Sequence, residues 1–115
     1  MKRIDYHNKN VIITGASSGI GKEIARELIE NYGCTVYGIA RNEARLNEAK
    51  NLLGEKFIPY SMDVSVKENW FNFSDFLKNS GISVDILINC AGILPKFATI
   101  ENTEIEEYEK ALSIN

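Results

Sequence analysis

Gly15, Gly19 and Gly21 stand at G-x-x-x-G-x-G spacing within Thr14-Gly15-Ala16-Ser17-Ser18-Gly19-Ile20-Gly21, and this is where the chain can do chemistry. Glycines at the end of a buried strand let the backbone turn tightly and approach a ligand with no Cβ in the way. They also aim the N–H groups of a helix start at an anion, which the helix dipole favours. A dinucleotide's pyrophosphate suits such a cradle. The nucleoside-triphosphate loop G-x-x-x-x-G-K-[ST] does not fit, because Gly15 and Gly21 enclose one residue too many and Glu23 stands where a magnesium-binding hydroxyl would follow Lys22.

A second position bears on which dinucleotide is held. Roughly twenty residues beyond such a loop, an NAD site has Asp or Glu at the end of the second strand, where it binds the ribose 2′-hydroxyl. Here that end reads Ile39-Ala40-Arg41-Asn42. An acid would repel a 2′-phosphate, whereas Arg41 can bind one through charge-assisted hydrogen bonds, so the residue type favours NADP over NAD. The plainer alternative for Arg41 is a solvated side chain at a helix start.

These residues need strands and helices to present them, and the chain alternates between the two. Val11 to Ile13, Thr35 to Ala40, Phe57 to Met62 and Val84 to Cys90 are short apolar runs suited to strands buried on both faces. The first helix is expected over Ile20 to Tyr32, with Ile20, Ile24, Leu28 and Tyr32 forming the apolar stripe and Gly33 beyond its end. The second spans Glu43 to Leu53, capped by Asn42 and closed by Gly54. For the third, Ser65-Val66-Lys67-Glu68 reads as a capping box, with Val66, Trp70, Phe73, Phe76 and Leu77 as the apolar face. A fourth begins at the capping box Thr103-Glu104-Ile105-Glu106.

Strand and helix in alternation mean parallel pairing through right-handed crossovers, an open α/β sheet. The doubly wound order is 3-2-1-4, and Pro59 supports it, because proline is tolerated on the edge strand that this order makes of the third.

The totals exclude several classes. The 115 residues make one domain, and 44% apolar with 25% charged residues is ordinary for a globular protein. A net charge of −3 argues against nucleic acid as a partner. No apolar run approaches the roughly 20 residues of a membrane span, and the polar start Met1 to Asn10 has no secretory core, so a cytoplasmic location is expected. Cys34, opening the second strand, and Cys90, closing the fourth, are expected as free thiols that pack as small hydrophobes. His7 reads as a surface residue, and the acids from Glu101 to Glu109 read as a solvated helix face rather than a metal site.

The motifs together resemble the classical short-chain dehydrogenase/reductase family. Thr14 to Gly21 matches its T-G-x-x-x-G-x-G loop, and Asp63-Val64 matches the acidic-hydrophobic pair after the third strand. Asn89-Cys90-Ala91-Gly92 matches its N-N-A-G signature with Cys90 in place of the second Asn, and Ser113-Ile114-Asn115 is similar to the segment carrying the active-site Asn. The resemblance implies a Rossmann-type, NAD(P)-binding domain over residues 1–115, incomplete and truncated before the remaining strands. It implies that Gly15, Ser17, Ser18, Gly19, Ile20 and Gly21 hold the cofactor, with the Ile20 N–H on the pyrophosphate and Ser17 joining Arg41 at the 2′-phosphate. Asp63 would accept from the adenine amino group, Val64 would border the ring, and Asn89, Ala91 and Gly92 would line the ribose side. Asn115 would be catalytic, and no metal is implied.

The family transfers hydride between nicotinamide and an alcohol or carbonyl, using a Tyr followed four residues later by Lys. A phenol, with its ordinary pKa of about 10, needs such a cation beside it to work near neutrality. The five tyrosines, Tyr6, Tyr32, Tyr37, Tyr60 and Tyr108, are followed at that distance by Asn10, Val36, Arg41, Val64 and Leu112. The expectation is therefore the cofactor-binding half of an NADP-dependent oxidoreductase, inactive by itself. A small alcohol or carbonyl would be its substrate only in a completed chain. The alternatives are a catalytically silent nucleotide-binding module and an interaction protein with an idle loop. The fourth strand would be an open edge, so a homo-oligomer is expected.

Overall fold

The computed structural model describes residues 5–91. Seven elements alternate along them: β1 (Asn10–Thr14), α1 (Gly19–Tyr32), β2 (Thr35–Ala40), α2 (Glu43–Leu53), β3 (Phe57–Ser61), α3 (Lys67–Asn79) and β4 (Ile86–Asn89). All strand pairs are parallel, and the sheet order is β3-β2-β1-β4. This is the doubly wound order expected from the alternation, with Pro59 on an outer strand.

Strand parity divides the core into two layers. Ile12 of β1 lies opposite Tyr37 of β2 and Leu87 of β4, and these residues pack with Ile39 and with Trp70, Phe73 and Leu77 of α3. Val11 and Ile13 point to the other face. There they join Val36, Phe57, Ala25 and Leu28 of α1, and Leu46 and Ala49 of α2. Val11, Ile12 and Ile13 are all fully buried, which explains why β1 reads as an unbroken apolar run rather than an alternating one. Each fully buried aliphatic side chain contributes on the order of 1.5–3 kcal/mol relative to exposure.

Since α1 and α2 cover one face and α3 the other, the direction of winding reverses between β1 and β4. In open sheets of this kind, ligands bind in the crevice at the carboxyl ends of the strands where that reversal occurs.

The helix ends show where local signals held and where they did not. Asn42 caps α2, its side chain accepting from the Arg45 N–H at 3.1 Å, and Gly33 ends α1 in a left-handed conformation at φ 67°. Ser65 does not cap α3. The helix starts at Lys67 with Val66 as its N-cap residue and no side-chain cap bond, because the Ser65 hydroxyl is taken by Asp63. Ile20 leaves the expected stripe of α1 and is 76% exposed, while Ala25 and Leu28 are buried. Val66 and Phe76 are likewise exposed at the margins of the α3 face. The second strand opens at Thr35, just after buried Cys34, and the fourth ends at Asn89, one residue before Cys90. The expected fourth helix lies outside the described residues.

Candidate functional site

β1 runs directly into the glycine loop. Gly15 takes a left-handed φ of 70°, and its N–H donates to the Ile39 carbonyl of β2 at 2.8 Å, followed by the Ala16 N–H to the same carbonyl at 3.3 Å. A Cβ on Gly15 would stand 2.9 Å from the Ala91 nitrogen, so only glycine lets β1 turn so close to the end of β4. A Cβ on Gly21 would run into the Gly15 carbonyl, which makes this glycine the point where the helix leans on its own loop. Gly19, the first residue of α1, has open space where a Cβ would be, so the loop presents bare backbone there.

The N-terminus of α1 differs from those of α2 and α3. Its N-cap residue, Ser18, makes no side-chain cap bond, and there is no acid in the first turn. By contrast, α2 has Asn42 and Glu43 at its start, and α3 has Glu68 in its first turn. A helix start holds N–H groups without intrahelical partners and carries a partial positive charge, so an anion is the chemical complement of α1 as built.

On one side of the loop lie the ends of β2 and β3. Arg41 is the first residue past β2, 80% exposed at its side chain, with its Nε 4.0 Å from Oδ2 of Asp63. The Asp63 side chain is 36% exposed and held tightly. Ser65 donates to its Oδ1 twice, from the backbone N–H at 2.9 Å and from the hydroxyl at 2.6 Å. These bonds, with a smaller contribution from the Arg41 charge, hold the Asp63 carboxyl below the usual aspartate range, so it is an acceptor at neutral pH. The main chain there is tied to α3: Asn69 donates to the Asp63 carbonyl at 3.0 Å, and the indole of buried Trp70 donates to the Val64 carbonyl at 2.8 Å.

On the other side lies the end of β4. Buried Thr14 donates from its hydroxyl to Asn89 Oδ1 at 2.7 Å and accepts from the Ala91 N–H at 3.4 Å, while the Cys90 N–H donates to the Thr14 carbonyl at 3.1 Å. One threonine thus joins the two strands that flank the crevice. Cys90 is free, and burial pushes its thiol up, so it stays protonated near neutrality and acts as a packing residue. Cys34 is also free and donates to the Tyr6 carbonyl at 2.8 Å.

The fold therefore brings Gly15, Ser17, Ser18, Gly19, Ile20, Gly21, Arg41, Asp63, Val64, Asn89 and Ala91 to the carboxyl edge of one sheet. Three strand spacings, on the order of 14 Å, separate the Asp63 end from the Asn89 end, with the glycine loop between them. Gly92 and Asn115 lie outside the described residues. Thr14, Ser65 and Ser61, whose hydroxyl donates to the Arg41 carbonyl, support the site although the motifs do not assign them to it. Ser65 could have been found from its place two residues after Asp63, the pattern of an Asx turn. Among the described residues no group of three or more His, Cys, Asp or Glu could hold a metal ion, and no helix is long and apolar enough to cross a membrane.

Comparison with known proteins agrees with this architecture. Residues 9–115 match the family model described as short chain dehydrogenase. A 3-ketodihydrosphingosine reductase of Bos taurus is 32% identical over 114 residues, which cover 92% of this chain and 34% of that protein. A Haemophilus influenzae protein named a probable NADP-dependent dehydrogenase is 29% identical over 104 residues, covering 90% of this chain and 41% of that protein. The crystal structure of a short chain dehydrogenase from Bacillus anthracis superposes with a TM-score of 0.68 at 30% identity, over 75% of this chain and 36% of that one. The chain thus spans between 34% and 41% of the lengths of these relatives.

Proposed function

Because the chain belongs to the short-chain dehydrogenase family, we propose that its crevice binds NADP(H) and that the protein is an oxidoreductase moving hydride between nicotinamide and an alcohol or carbonyl. The observation that carries the reading is the start of α1, which reaches the β1/β4 switch point with neither a side-chain cap nor an acid in its first turn. The residues fit a dinucleotide along the whole carboxyl edge. Backbone N–H groups at the start of α1, Ile20 among them, would take the pyrophosphate where the loop's glycines let it approach, with Ser17 and Ser18 at its rim. Arg41 would meet the 2′-phosphate, Asp63 and Val64 the adenine, and Asn89, Ala91 and Gly92 would line the ribose side of the crevice.

When bound, the nicotinamide supplies the hydride acceptor or donor. The chain's own residues bind and orient the cofactor. NADP is favoured over NAD because a cation, Arg41, stands where NAD sites carry an acid. The NADP-dependence in the name of the Haemophilus relative points the same way. Asn115 holds the place of the family's active-site Asn by resemblance, and no tyrosine of this chain has lysine at the fourth position after it. In this reading the 115 residues hold the nucleotide, and proton transfer to a substrate needs residues they do not contain. Self-association belongs to the same reading, since among the described residues β4 borders the sheet and an unpaired edge is a template for a second chain.

Calorimetric titration with NADPH and NADH tests the assignment. Tighter binding of NADPH is expected, with Arg41→Ala removing about tenfold or more of the difference, as for a lost charge-assisted bond. Equal affinities in the unaltered protein would rule out the 2′-phosphate role of Arg41.

A further inference from the structure

Resting on that reading of Arg41, we infer that Ser61 is its positioning residue, fixing the peptide from which the guanidinium reaches the 2′-phosphate. The Arg41 side chain is 80% exposed, so little packing sets where its charge sits. A long side chain in that state is placed mainly by its backbone. That backbone is tied down by its neighbours across the sheet and along the chain. The Met62 N–H donates to the Ala40 carbonyl at 3.0 Å, and one residue further on the Ser61 hydroxyl donates to the Arg41 carbonyl at 3.0 Å. On the far side Asn42 caps α2, so the Arg41 peptide is held between an edge strand and a helix start.

Among the described residues the Ser61 side chain has no other structural task. It is exposed, it ends β3 in register with Ala40, and it belongs to neither core cluster. Two residues further along, Asp63 is fixed independently by Ser65. Ser61-Met62-Asp63-Val64-Ser65 thus carries two hydroxyls with separate tasks, one on the backbone of the cation and one on the carboxylate that faces it. Loss of the Ser61 hydroxyl releases the Arg41 carbonyl to water and lets the peptide turn, while the Asp63 and Val64 end keeps its own bonds to Ser65, Asn69 and Trp70. Binding of NADPH weakens, and binding of NADH, which has no 2′-phosphate, does not.

The test is calorimetric titration of the full chain with NADPH and NADH, in the unaltered protein and in Ser61→Ala, Ser61→Thr and Arg41→Ala. Ser61→Ala is expected to weaken NADPH by about threefold or more, the ordering cost of a long side chain that is no longer preorganised, with NADH unchanged. Ser61→Thr, which keeps the hydroxyl, is expected to restore the NADPH preference. A merely structural role would weaken both dinucleotides in parallel, and that result overturns the proposal. If Arg41→Ala collapses the preference while Ser61→Ala leaves it intact, the positioning role fails and the Arg41 reading stands. If Arg41→Ala leaves the preference intact, or neither dinucleotide binds, the reading fails and Ser61 falls with it.

Discussion

At the scale of single residues, the Asp63 carboxylate is set by its neighbours at the β3 end of the crevice. The Ser65 hydroxyl at 2.6 Å and the Ser65 N–H at 2.9 Å converge on one oxygen, leaving the other toward Arg41. Bonds to the ionised form lower the folded-state pKa, so their stabilisation is present above the ordinary aspartate value and is lost as pH falls through the lowered one. Ser65→Ala removes the largest of these bonds. Its expected effect is a rise in the Asp63 titration midpoint toward the ordinary range, followed by carboxyl-carbon NMR, with the acid limb of the stability curve moving to higher pH. An unmoved midpoint would show that the backbone N–H and Arg41 suffice. From the sequence alone Ser65 has two uses, because a serine ahead of a helix can cap it or close a turn on a preceding aspartate. Only the φ and ψ of Val66, which place the helix start one residue later, decide between them.

At the scale of elements, the crevice is a junction between β1 and β4, and Thr14 is its tie. This side chain is fully buried, donates to Asn89 and accepts from Ala91. Thr14→Val keeps the shape and removes both bonds, at an expected cost of about 1–3 kcal/mol, since buried polar groups lose a partner. Urea denaturation of the variant would measure it, and a loss well below 1 kcal/mol would mean that water or a neighbour replaces the hydroxyl. The elements themselves were legible in the residues. α2 runs from Glu43 to Leu53 as its cap and closing glycine indicate, and β2 spans Thr35–Ala40 as its apolar run does. Ile20 departs from the expected stripe for a physical reason. Helical spacing places it on the stripe with Ile24 and Leu28, but it sits in the first turn, past the end of the sheet, where nothing described covers it.

At the scale of the whole molecule, the proposed function places binding and turnover in different parts of the fold. The loop, Arg41 and Asp63 lie in the first 91 residues, whereas none of the five tyrosines has a lysine four positions on. NADPH is therefore expected to raise the melting temperature of the 115-residue chain by mass action, with no carbonyl-dependent loss of NADPH absorbance. Steady turnover would reveal another acid in the tyrosine's place.

Much of this protein was readable from sequence alone. The glycine spacing, the four apolar runs, the helix punctuation and the cation at Arg41 are local properties, and local physics decides them: backbone sterics, side-chain period and charge. They were enough to specify the α/β alternation, the strand order and the resemblance to the short-chain dehydrogenases. Tertiary structure decided which groups meet. That Thr14 bonds Asn89 across 75 residues and that Ser61 takes the carbonyl of Arg41 both depend on contacts between strand ends. Hydrogen bonds between residues distant in sequence exist only after the sheet has aligned its carboxyl edge. No spacing in the chain encodes them.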